Sequence, residues 1–252
     1  MKFTLSNLQI YWEIADQSIL NLRPGYNLRK HKDGLAICYL VEYTTLMVVN
    51  NPQDKFYKQE IRVETNFSVE DFLMLGEDSV LACGIAGEVS VINYTNDQKN
   101  GKDTLSFKLN FDPNEMIRFV RKVGDDEKYV VFCTCRVGKF YRLFVYKHEQ
   151  GMLEYVCEWL LSEAQKGVDS DSMLNDLHGM RDKDDLILVG IEDGFCAGIR
   201  VWKLANNSLE EVAYRREFFF DKVADSHVHM NSLWTLEENG ILKSTHIKML
   251  VD

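Results

Sequence analysis

A chain of 252 residues is long enough to bury roughly 70% of the surface its unfolded form exposes, and 46% hydrophobic with 27% charged residues is the composition of a folded protein, not a disordered one. Lys plus Arg number 29 against 39 Asp plus Glu, a formal charge of -10, which argues against nucleic acid as a partner and for proteins with basic segments. No stretch approaches the roughly 18 unbroken apolar residues of a spanning helix, and MKFTLSNLQIYWEIADQ lacks the apolar core of a secretory signal, so membrane insertion is not expected and a cytosolic or nuclear location is.

Along the chain, residues 2–12 (KFTLSNLQIYW) alternate polar and apolar and read as a strand. The basic run Arg29-Lys30-His31-Lys32 reads as a short solvated loop. Residues 34–51 (GLAICYLVEYTTLMVVNN) give two apolar runs around a turn. The same plan returns at 78–94 (DSVLACGIAGEVSVINY), 128–149 (KYVVFCTCRVGKFYRLFVYKHE), 187–204 (ILVGIEDGFCAGIRVWKL) and, more weakly, 231–250 (NSLWTLEENGILKSTHIKML). Helical periodicity is scarce. Residues 157–166 end at Gly167 as a capped helix would, yet LEYVCEWLL suits a strand equally well.

The bulky residues closing the second run of each unit are Val49, Ile92, Tyr146, Trp202 and Ile247, about 43 to 56 residues apart, which leaves room for two further strands per unit. That is the size of one β-propeller blade, although the hairpins alone also suit a β-sandwich or barrel. LVGIEDGFCAGIRVWKL resembles the second and third strands of a WD-repeat blade, with Trp202-Lys203 where that family has Trp-Asp. His178 in NDLHGM precedes Trp202 at a spacing similar to that from the family's Gly-His to its Trp, and LACGIAGEVSVIN is similar with Ile92-Asn93 at the Trp-Asp position.

The resemblance, spanning about residues 34–250, implies an all-β, WD-repeat-like propeller of about five recognisable blades. Residues 1–252 would form one domain, with a strand at 2–12 completing the last blade, and a closed small ring ranks ahead of an open one filled by a partner's strand. It also implies that His178, Asp193 and Trp202 are three members of the family's in-blade hydrogen-bonded chain; the hydroxyl position falls at Val189 and Gly190, which have none. An interaction scaffold in an intracellular complex is the expected function.

The sharpest local constellation is ADSHVHMNS, where Asp225, His227 and His229 share one strand face. Extended backbone holds Asp225 about 13 Å from His229, too far for one ion, so structural histidines and no metal are expected. GVDSDSMLNDLHG resembles a calcium loop but has Leu174 and Met180 where such a loop needs Gly and Glu; it reads as an acidic rim loop ending in Asp176 and His178. The expected binding surface is therefore Asp176, His178, Asp225 and His227, at the starts of blades. No cofactor or catalytic motif is present, and the six cysteines read as buried thiols. The alternative is a propeller hydrolase or esterase with a polar or metal site, His227 and His229 included. In REFFFDK, alternation sends at least one of Phe218, Phe219 and Phe220 away from the others.

Overall fold

The structure is a computed structural model describing residues 26–31, 34–50, 59–76, 78–94, 102–124, 128–136, 139–149, 152–161, 173–182, 185–193, 198–215, 218–219, 222–229 and 231–247. Among these residues it is all strand and turn, in five antiparallel sheets whose strands pair in chain order. The first sheet is β1 (Tyr26–His31), β2 (Gly34–Glu42), β3 (Thr45–Asn50) and β4 (Gln59–Glu64). The second is β5 (Val69–Met74), β6 (Ser79–Gly84), β7 (Glu88–Asn93) and β8 (Lys102–Lys108). The third is β9 (Glu115–Val123), β10 (Tyr129–Arg136), β11 (Lys139–Glu149) and β12 (Met152–Leu160). The fourth is β13 (Met173–Asp182), β14 (Asp185–Asp193), β15 (Ile199–Ala205) and β16 (Ser208–Arg215). The fifth is β17 (Val223–His229), β18 (Ser232–Glu237) and β19 (Leu242–His246).

Each expected hairpin forms the second and third strands of one sheet. Val49, Ile92, Tyr146 and Trp202 sit in β3, β7, β11 and β15, and Ile247 directly follows β19. Residues 157–160 are strand, paired with β11. The strand expected at 2–12 lies outside the described residues. Asn206 and Asn207 make a hairpin turn, both with positive φ between the paired residues Ala205 and Ser208.

A second repeat lies beneath the first. The opening strands of sheets two to five each carry a β-bulge, at Glu70, Arg118, Asn175 and Ala224. The fourth strands of sheets two to four carry another, directly after the residue opposite Ile92, Tyr146 or Trp202. A bulge inserts one residue and raises local twist, so the second, third and fourth sheets are bent at both margins; two middle strands carry bulges as well, at Val41 in β2 and Tyr141 in β11.

Packing divides the chain into two compact units, Met1–Asn110 and Phe111–Asp252. In the first, Leu46, Val48, Ile61 and Val63 of one sheet meet Phe72, Met74, Val80 and Ile92 of the next. The second unit has two apolar layers. Phe119, Val131, Leu143 and Val145 of the third sheet face Leu174, Leu177, Leu188 and Trp202 of the fourth. On the far side of the fourth sheet, Val189, Ile191, Ile199 and Val201 face Phe219, Val223, Leu233 and Ile247. Covering both faces is what makes ILVGI and the start of IRVWKL near-continuous in apolar character. Gly190 is required by the first layer: a Cβ there would come within 2.7 Å of both Leu174 and the Trp202 ring.

Candidate functional site

The opening strands of the third, fourth and fifth sheets lie side by side in the second unit. Gly179 permits this closeness, since a Cβ there would stand 2.6 Å from the Cβ of Val123. The bulge at Asn175 re-aims the next residue, Asp176, whose Oδ1 accepts the Leu177 N–H at 2.9 Å. Three strands then converge on this carboxylate. Arg121 Nε of β9 donates to Oδ1 at 3.0 Å, and the Ser226 hydroxyl of β17 donates to Oδ2 at 2.9 Å. His178 Nε2 of β13 lies 2.7 Å from Ser226 Oγ and 3.2 Å from Asp176 Oδ2.

The geometry limits what this cluster can do. Burial pushes the Asp176 carboxyl up, but the His178 hydrogen bond and the charges of His178 and Arg121 outweigh burial and hold it well below the usual carboxylate range. It is therefore an anion at neutral pH and a poor proton acceptor. The tautomer sets the donor at the His178–Ser226 contact: with the Ser226 proton on Asp176, His178 Nε2 carries the hydrogen that the serine oxygen accepts. A hydrolytic relay needs the imidazole to take the serine proton while its other nitrogen faces the carboxylate. Here one nitrogen faces both, and the serine proton is engaged elsewhere. What the arrangement does is tie three sheets together through one charge.

The expected site residues separate into different places. Asp176 and His178 lie within β13, not in the rim loop that was expected to end in them; the extra residue at Asn175 breaks the period-two pattern that marks a strand. His227, in β17 next to Ser226, points to the opposite face and is exposed, its cross-strand neighbour being Trp234. Asp225 follows the β17 bulge, and His229 ends that strand; their side chains lie outside what is described. Asp193 ends β14, with its side chain likewise undescribed.

Trp202 is fully buried against Phe140 and Trp159 of the third sheet, ring centroids 5.9 and 5.5 Å away, and its Nε1 has no hydrogen-bond partner among the described residues. His178 faces the fifth sheet while Trp202 faces the third, so no hydrogen bond joins them. Arg121 and Ser226 were not singled out from the sequence. A signal for the bulges existed: Val69-Glu70-Asp71, Leu174-Asn175-Asp176 and Val223-Ala224-Asp225 repeat an apolar-x-Asp step, and Arg121, His178 and His227 stand at the same distance past their bulges.

Two further features bear on function. Arg200 is buried, paired with Glu192 and, at 2.9 Å, with Glu211, and its guanidinium lies 4.0 Å from the Tyr214 ring centroid. In the fifth sheet β18 alternates strictly: Leu233, Thr235 and Glu237 are buried, while Trp234 and Leu236 are exposed beside Leu242, which is 64% exposed. Among the described residues no three His, Cys, Asp or Glu side chains converge to hold a metal ion.

No protein-family model matches the sequence, and no curated protein matches it. Among solved structures the chain is similar to a candidate 6-phosphogluconolactonase of Bacteroides uniformis, with a TM-score of 0.60 and 12% identity over 87% of this chain and 69% of that one. It is also similar to Sqt1 of Saccharomyces cerevisiae, with a TM-score of 0.60 and 10% identity over 89% of this chain and 60% of that one. At such identities the likeness is one of fold, and the chain is an all-β propeller.

Proposed function

We propose that this propeller is an interaction scaffold, a subunit of a protein assembly in the cytosol or nucleus. The observation that carries the reading is the exposed face of the fifth sheet. Isolated exposed apolar residues are ordinary, but here Leu236 and Leu242 are direct cross-strand partners and Trp234 lies one step along the same face, beside His227. A tryptophan flanked by leucines and a histidine is the composition of a protein-binding centre. Tagged protein recovered from native cells should retain stoichiometric partners, and Trp234→Ser with Leu242→Ser should release them without lowering the melting temperature. Recovery of the wild type as a lone monomer would count against the reading.

A hydrolytic reading draws on the lactonase named among the similar folds and on the Arg121, Asp176, His178 and Ser226 cluster. It is the weaker one, because the serine proton goes to a carboxylate held ionised. Hydrolysis of 6-phosphogluconolactone should not exceed the spontaneous rate; a rate that vanishes in His178→Ala would reverse the ranking.

A further inference from the structure

We infer that one end of the first two sheets is a docking platform for a short segment of another protein that joins apolar residues to lysines or arginines. The turn between β2 and β3 carries Tyr43, 75% exposed, beside exposed Val41, and the turn between β6 and β7 carries exposed Ile85. Between them runs the link from β4 to β5, bound to the first turn at both ends. Thr65 N–H donates to Thr44 O at 2.8 Å and Val69 N–H to Tyr43 O at 2.6 Å, while the Thr65 hydroxyl donates to Phe67 O at 2.6 Å.

The same link presses on the second turn. Val69 is the register partner of Gly84, and a Cβ at Gly84 would meet the Phe67 ring at 2.9 Å and Ser68 O at 3.3 Å. Three loops thus form one tied surface with Tyr43 and Ile85 at its crests, already ordered before anything binds, which lowers the entropy lost on docking.

Charge selects the occupant. Glu42, Glu64 and Glu88, at strand ends, flank the loops together with Arg62 and Lys108. Both cations are already engaged, Arg62 with Glu64 at 3.0 Å and Glu42 at 3.8 Å, Lys108 with Glu88 at 3.7 Å. Among the described side chains around the loops, three glutamates thus share two cations, in a chain of net charge -10. Apolar side chains of the occupant cover Tyr43 and Ile85 while its flexible cationic ones reach the glutamates around them.

The platform rests on the interaction reading but is separate from the Trp234 face. The probe is a short fluorescein-labelled peptide alternating arginine and leucine, followed by anisotropy, with a glutamate and leucine peptide as control. The first should bind and the second should not. Tyr43→Ser with Ile85→Ser should weaken binding about tenfold, and Glu42→Gln with Glu64→Gln about threefold with a flatter salt dependence; all four side chains are exposed, and unchanged melting checks the fold. Equal affinity for the wild type and both variants overturns the platform. So does no binding by a wild type whose partners still depend on Trp234, which leaves the interaction reading standing. If neither peptide nor native partner binds, both fall.

Discussion

Asp176 shows how a single side chain serves three sheets at once. Its carboxylate takes hydrogen bonds from Arg121, Ser226 and its own backbone neighbour, and replacing it by asparagine removes the charge those donors meet. Because its pKa in the fold lies below the unfolded value of about 3.9, its contribution is fully present above that pH and is lost as the pH falls. Asp176→Asn should therefore cost about 1.5–3 kcal/mol at neutral pH, and the gap to the wild type should start to narrow below about pH 4 and shrink progressively as the pH falls further. Urea denaturation across that range measures it; a gap independent of pH would show that the charge is not what stabilises. Trp202 makes the opposite case. Its ring is fully buried but its N–H has no partner among the described residues, so Trp202→Ala should cost about 3–5 kcal/mol, while Trp202→Phe, which leaves a smaller cavity and removes the unsatisfied donor, should cost about 1 kcal/mol or less. A large loss in Trp202→Phe would reveal a hydrogen bond like that of the WD-repeat chain.

Strands were legible in proportion to how regular they are. The second and third strands of the first four sheets are largely apolar or alternating despite the bulges at Val41 and Tyr141, so their hairpins and closing residues such as Ile92 and Trp202 could be read directly, whereas the polar β19 (LKSTH) made the last hairpin a weaker signal. Opening strands were harder, because the bulges at Asn175 and Ala224 shift the period in LNDLHGM and VADSHVH and disguise strand as loop. The fourth strand of the third sheet was ambiguous for another reason: MLEYVCEWL is mostly exposed or half-buried, and no face of it is cleanly apolar. The site was legible only within one strand. Asp176 and His178 stand out as polar residues close in sequence, but Arg121 is 55 positions away and Ser226 is 50, and each comes from a neighbouring sheet that no local pattern relates to β13.

Within the second unit each sheet is the lid of the one before it. The fourth sheet buries one face against the third and the other against the fifth, so neither face was selected to meet water. Stability in such an array is a sum of sheet terms and neighbour terms, and the face of the fifth sheet turned away from the fourth is where the exposed Trp234, Leu236 and Leu242 lie. Removing the fifth sheet uncovers the fourth. A chain ended at Arg215 loses Phe219, Val223, Leu233 and Ile247, and it uncovers Val189, Ile191, Ile199 and Val201 on adjacent strands. Each of these side chains gains roughly 1.5–3 kcal/mol from full burial, so exposing four together costs more than the whole margin of many domains. The same truncation leaves Asp176 without the Ser226 hydroxyl. The shortened chain should run as aggregate in size-exclusion chromatography with light scattering, with no cooperative melting transition. A monomer that melts cooperatively would mean that the fourth sheet tolerates an open face, and that the fifth sheet serves binding more than folding.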